Sequence, residues 1–167
     1  MTLSLRLAST DATGALGQAL ARHCPWDDRQ PLLLFLSGEL GAGKTLLAAA
    51  LLKALGVEEQ VRSPSYALIE TYRASAGEAV HIDLYRLQGA DELQQLGLTD
   101  YLNPNTLLLV EWPERAGPAL PPCDLQLRLT PVPQDPAARE VRIDAPSAIG
   151  RRWLQAALGR SAEPDVS

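Results

Sequence analysis

The order of apolar and polar positions divides the chain into short elements before any chemistry is considered. Residues 3–7 (LSLRL) alternate with a period of two, the pattern of a strand with one buried face. Thr10 or Asp11 then offers a helix N-cap, and Leu16, Ala19, Leu20 and His23 recur at helical spacing as far as Pro25. Residues 32–36 (LLLFL) are apolar at every position, which suits a strand covered on both faces in a parallel sheet. That run enters SGELGAGKT and continues as LLAAALLKAL, a series of strong helix formers that Gly56 closes at a C-cap.

Downstream, VRSPSYALIETYR and EAVHIDLYRL read as two strands joined by ASAGE, an antiparallel hairpin at one edge of the sheet. ADELQQLG predicts a short helix, DYLNPN a turn, and TLLLVE a second fully apolar strand. DLQLRLT and EVRIDA alternate as two later strands even though nine of the thirteen prolines lie from Pro113 onward, and SAIGRRWLQAAL predicts a closing helix. Residues 159–167 are expected to form a disordered tail, which leaves one domain over residues 1–158. Strand, glycine-rich turn and helix in that order imply an α/β layer architecture.

Composition narrows the class. A chain of 167 residues with 46% hydrophobic and 21% charged side chains has the balance of a globular protein. Its net charge of −5 argues against a protein that grips a nucleic-acid backbone unaided. No apolar run approaches the roughly 18–20 residues of a membrane span, and MTLSLRLASTDATG lacks the pattern of a secretory signal, so a cytoplasmic location is expected. Cys24 and Cys123 are far apart in the chain and read as buried thiols rather than a disulfide or metal pair; His23 and His81 are too few for a histidine-rich metal site.

The strongest chemical signal is residues 38–45, GELGAGKT, a complete G-x-x-x-x-G-K-[ST] match that a chain of this length produces by chance on the order of one time in a hundred or less. Glycines let backbone N–H groups turn inward around phosphate oxygens, and the following helix N-terminus adds partial positive charge. Gly38, Glu39, Leu40, Gly41, Ala42, Gly43, Lys44, Thr45 and the adjoining Leu46 are therefore the candidate nucleotide-binding segment, with Lys44 reaching the β- and γ-phosphates and the Thr45 hydroxyl on Mg²⁺. The expected fold class is then α/β, a P-loop NTPase-like mixed sheet with a central parallel part, antiparallel edge strands and flanking helices.

Such a loop needs an acid at a neighbouring strand end. Glu111 ends the apolar run 107–110 in the Walker-B manner. Asp83 lies in VHIDLYR, where Val80, Ile82 and Leu84 share one face and His81, Asp83 and Tyr85 the other, although a salt bridge to Arg86 or Arg73 would also explain it. Ser63, Pro64 and Ser65 form a hydroxyl-rich segment suited either to a γ-phosphate switch or to a plain strand entry. Trp112 serves equally as a core anchor or as a contact beside the nucleotide, and His81 reads as a hydrogen-bonded strand residue. Leu98, Tyr101 and Leu102 make an apolar stripe that suits a docking surface or core packing alike. Only Lys44 and Lys53 are lysines, so no Asn-Lys-x-Asp guanine-reading motif exists and ATP is favoured over GTP.

GELGAGKT, VRSPSYALIETY, VHIDLYRL, ADELQQLGLTDYL and LLLVEWPER occur in one order and spacing, and with them the chain resembles the TsaE (YjeE) family of small P-loop ATPases of bacterial tRNA threonylcarbamoyladenosine synthesis. The likeness covers most of residues 32–115 and extends more weakly to about Asp144. It implies an ATPase that works with TsaB and with TsaD, the subunit that transfers threonylcarbamoyl to adenosine 37 of ANN-decoding tRNAs. Hydrolysis would reset that complex between turnovers, and tRNA would be reached only through it. The resemblance further implies Mg²⁺ on Thr45 and Glu111, Asp83 aligning the attacking water, Ser63, Pro64 and Ser65 as the switch, Trp112 near the site, Thr10 approaching adenine and Arg139 reaching the nucleotide. Leu46 replaces a frequent second threonine and Ser65 the usual threonine of SPT, without loss of a metal or phosphate ligand. A nucleotide-gated binding module with incidental hydrolysis is the alternative; a small-molecule kinase is disfavoured for want of an arginine-rich lid.

Overall fold

Two strand segments apolar at every position, 32–36 and 107–110, have to lie inside a sheet, and the computed structural model, which describes residues 1–61, 64 and 68–159, places them there. The strands are β1 (Thr2–Leu7), β2 (Leu32–Ser37), β3 (Ile69–Arg73), β4 (Glu78–Asp83), β5 (Thr106–Glu111), β6 (Leu125–Val132) and β7 (Asp135–Asp144). They form one sheet in the order β1-β7-β6-β2-β5-β4-β3. β6, β2, β5 and β4 run parallel to their neighbours within that group. β7 and β1 continue one side antiparallel, and β3 pairs antiparallel with β4 at the other edge. The mixed sheet and the hairpin expected from the sequence are both present.

Burial follows strand position. β2 and β5 are buried at every residue, while β6 buries Leu125, Leu127 and Leu129 and turns Arg128 and Thr130 outward. One face packs under α1 (Thr10–Arg22), α2 (Lys44–Ala54) and α4 (Ala148–Leu158), in a core holding Leu20, Leu34, Leu51, Leu109 and Trp153. The opposite face of β2, β5 and β4 is covered by the segment from Leu84 to Leu120, including α3 (Ala90–Gln95), in a second core with Phe35, Ile82 and Val110. Leu98 is buried and Tyr101 and Leu102 pack against this second core, so the stripe they form is core packing.

Helix ends show one departure from the expected pattern. The N-cap of α1 is Ser9, whose side chain accepts from the Ala12 N–H at 3.1 Å, and not Thr10 or Asp11. Ser9 wins because it is extended, as a cap must be, whereas Thr10 already has helical geometry. The helix stops at Arg22, short of Pro25. Gly56, at φ +88, follows the end of α2 as expected. Leu98–Tyr101 forms a short 3-10 turn that begins ahead of the turn expected at 100–105. Cys24 and Cys123 are unpaired, and burial pushes the Cys24 thiol up to about 12. No helix among the described residues is long and apolar enough to cross a membrane. Ser63 and Ser65, and the tail from residue 160, lie outside the described residues.

The α1–α2 contact is set by Gly17, where an added Cβ would lie 2.6 Å from the Leu47 carbonyl oxygen. Replacing Gly17 by Ala improves helix propensity by up to about 1 kcal/mol, but overpacking against backbone costs about 1–3 kcal/mol. Packing wins: Gly17→Ala is expected to lower stability, read as a lower denaturation midpoint with an unchanged slope.

Candidate nucleotide-binding site

Strand register brings the candidate residues to one edge. Leu36 on β2 and Asp83 on β4 both lie level with Glu111 on β5, so three neighbouring parallel strands end together. The connections leave from this carboxyl edge, where open α/β sheets hold ligands. The loop 38–43 leaves β2 here and feeds α2, and a cleft of about 430 Å³ opens between it, Asp83, Tyr85, Glu111 and Trp112.

The loop is shaped by its glycines. Gly43 is the N-cap of α2 at φ +101, a left-handed conformation that disfavours any side chain. Gly38 lies so close to β6 that a Cβ would meet the Leu129 carbonyl. Helices α1 and α4 are each capped by a serine side chain, Ser9 and Ser147, but α2 has no side-chain cap and no acid in its first turn. Its first N–H groups are thus presented to the cleft, the arrangement that favours a bound anion.

Lys44 is almost fully buried, and its ammonium donates to the carbonyls of Gly38 at 2.7 Å and Glu39 at 2.8 Å. It also sits 4.0 Å from the centroid of the Trp112 ring. Burial lowers the Lys44 pKa, opposed by the charges of Glu111, Glu114 and Asp83. Trp112 reaches this position through a left-handed backbone, φ 57 and ψ 47, at a cost of about 1–3 kcal/mol for a non-glycine residue. Tyr85 packs on the same indole with centroids 5.0 Å apart, and the Arg115 guanidinium lies 5.7 and 6.0 Å from the two rings.

Glu111 is 1% exposed and its carboxylate is held from two directions. The Thr45 hydroxyl lies 3.0 Å from Oε2 and 3.2 Å from Oε1, and His81 Nε2 lies 2.8 Å from Oε1. Asp83 is also buried, with Oδ1 accepting the Tyr85 N–H at 2.9 Å. Thr45 and Glu111 present hard oxygen donors side by side. That set suits Mg²⁺, which takes one or two protein oxygens and completes its shell with phosphates and water. Among the described residues no group of three or more His, Cys, Asp or Glu side chains forms a protein-only metal cage.

Arg139 is placed differently from a free nucleotide contact. Its guanidinium donates to the loop carbonyls of Ala42 at 2.8 Å and Gly41 at 3.3 Å, and to those of Pro136 and Ala138. It braces the phosphate loop from β7. Thr13, Gly43 and Arg139 meet at the start of α1, which brings Thr10 to the same end of the molecule as the loop. Leu40 and Leu46 are exposed at the mouth of the cleft, and Pro64 is buried. Sequence reasoning did not foresee the packing of Tyr85 and Arg115 around Trp112 or the bracing by Arg139. It did place His81 on the face shared with Asp83 and Tyr85, which was the available signal for its contact with Glu111.

Known proteins share the sequence pattern and the fold of this chain. A family model described as "Threonylcarbamoyl adenosine biosynthesis protein TsaE" matches residues 7–141. A relative from Streptomyces coelicolor, named tRNA threonylcarbamoyladenosine biosynthesis protein TsaE, is 38% identical over 84% of this chain and 93% of its own. Relatives of the same name from Haemophilus influenzae and Bacillus subtilis are 34% and 30% identical, over 75% and 90% of this chain and 77% and 89% of theirs. The crystal structure of Bacillus subtilis YdiB has the same fold, with a TM-score of 0.78 and 95% of each chain covered at 24% identity.

The bracing contact predicts its own loss. In Arg139→Ala the Ala42 amide, which donates to the Glu39 carbonyl at 3.0 Å, is expected to exchange its hydrogen about ten- to a hundredfold faster. Native-state hydrogen exchange checks this, with amides of β2 and β5 as internal references that should not change.

Proposed function

Because the chain belongs to the TsaE family of threonylcarbamoyl adenosine biosynthesis proteins, we propose that it binds and hydrolyses ATP with Mg²⁺ to support N6-threonylcarbamoyladenosine formation in tRNA. The observation that carries this reading is the meeting of an uncapped, glycine-started helix with Lys44, Thr45, Asp83 and Glu111 at three level strand ends. The α2 N–H groups bind the phosphates. Lys44 leaves the Gly38 and Glu39 carbonyls for the β- and γ-phosphate oxygens, an exchange of neutral acceptors for charged ones that favours the nucleotide-bound loop.

Thr45 and Glu111 hold Mg²⁺, whose chemistry there is to neutralise charge shared between the β- and γ-phosphates. Asp83, with its carboxylate fixed by the Tyr85 amide, orients the attacking water. ATP is preferred to GTP because the chain has no Asn-Lys-x-Asp segment to read guanine. Hydrolysis would reset a TsaB–TsaD complex between rounds of modification in the cytoplasm. With a net charge of −5, the chain meets tRNA through those partners and not by its own surface.

Lys44→Ala is expected to weaken ATP binding about ten- to a hundredfold, the loss of about 1.5–3 kcal/mol from one charge-assisted hydrogen bond; calorimetric titration of wild type and variant measures it. Equal affinities would remove the assignment. Asp83→Ala is expected to keep ATP binding while abolishing ATPase activity in the presence of TsaB and TsaD, and with it multiple-turnover tRNA modification. Sustained turnover by a variant that binds but does not hydrolyse ATP would instead make the protein a nucleotide-gated binding module.

A further inference from the structure

We propose that His81 is a positioning residue for Glu111: it holds one carboxylate oxygen so that the other is presented to Mg²⁺ beside Thr45. The inference rests on the ATP reading above and names how its metal site is held. His81 is completely buried on β4, and Nε2 lies 2.8 Å from Glu111 Oε1 on the neighbouring strand. An ionised carboxylate only accepts, so in this contact His81 Nε2 carries the hydrogen and donates. Its Nδ1 is buried and has no hydrogen-bond partner among the described residues.

An imidazole in the sheet interior whose hydrogen bonding is confined to one carboxylate adds little to the core that an apolar side chain of similar size would not. The polar group is explained by what it does to Glu111. Thr45 lies within reach of both Glu111 oxygens but has one hydroxyl proton, so it satisfies one of them at a time. His81, fully buried and outside the lining of the cleft, takes Oε1, which restrains the carboxylate and leaves Oε2 to the Thr45 end of α2. A ligand oxygen held this way does not have to be ordered when the ion binds, and outer partners of this kind are worth about 10–100-fold in metal affinity.

The test is the Mg²⁺ dependence of ATP binding, followed by calorimetry across a Mg²⁺ series and in EDTA, with thermal unfolding as a check on folding. Wild type binding ATP in a Mg²⁺-dependent manner establishes the parent reading. No binding by wild type overturns that reading together with this one. His81→Leu is expected to need about 10–100-fold more Mg²⁺ for half-maximal ATP binding, with ATP affinity in EDTA unchanged. His81→Gln, whose amide N–H extends to the Nε2 side, is expected to restore most of the Mg²⁺ response, and His81→Asn, whose amide lies nearer the Nδ1 side, is not. A wild-type Mg²⁺ response in folded His81→Leu overturns the proposal, as does an equal loss of affinity with and without Mg²⁺. Should His81→Leu not fold, the Gln and Asn variants decide: a difference between them supports positioning, and identical Mg²⁺ responses overturn it.

Discussion

The cleft depends on a carboxylate placed where water does not reach it. Glu111 ends a strand buried at every residue, and a polar group there is costly unless nearby donors replace the lost hydration. Thr45 and His81 supply those donors, one from the first turn of α2 and one from β4. Three elements are thereby tied to one group: the helix that follows the phosphate loop, the central strand and its neighbour. Core packing seats α2 against the sheet and α1, and the Thr45 contact ties its first turn to Glu111.

The same economy of partners appears around the loop itself. Its carbonyls are occupied on both sides, by Lys44 within the loop and by Arg139 from β7. The carbonyl oxygens are turned toward these cations, and apart from the Ala42 N–H, which is bonded to the Glu39 carbonyl, the loop N–H groups can face an anion in the cleft. Trp112 adds an aromatic face to the Lys44 ammonium and accepts a strained backbone to do so. Strain at that one residue is sustained by its N–H bond to the Leu36 carbonyl at 3.0 Å and by contact with Tyr85. A lysine held between loop carbonyls and an indole is desolvated, which is why its pKa falls despite three acids nearby.

Much of the architecture was legible because its causes are local. Uninterrupted apolar runs at 32–36 and 107–110 marked fully buried strands, and alternation in DLQLRLT marked a further strand. The cap of α1 was misplaced by one residue because Ser9, Thr10 and Asp11 are all competent cap types, and only backbone geometry distinguishes them. The stripe at Leu98, Tyr101 and Leu102 was ambiguous for a related reason: periodicity shows that a face is apolar but not what covers it.

By itself the sequence determined the phosphate loop, its place between a buried strand and a helix, the two acids at strand ends and the family likeness, since each resides in neighbouring residues and their spacing. Tertiary structure decided which distant groups share an edge. Register alone sets Asp83 level with Glu111, aims a histidine 30 residues away at that carboxylate, and brings an arginine 97 residues beyond Ala42 onto its carbonyl. Such contacts leave no spacing rule in the chain, because they are fixed by how strands align and not by how residues follow one another.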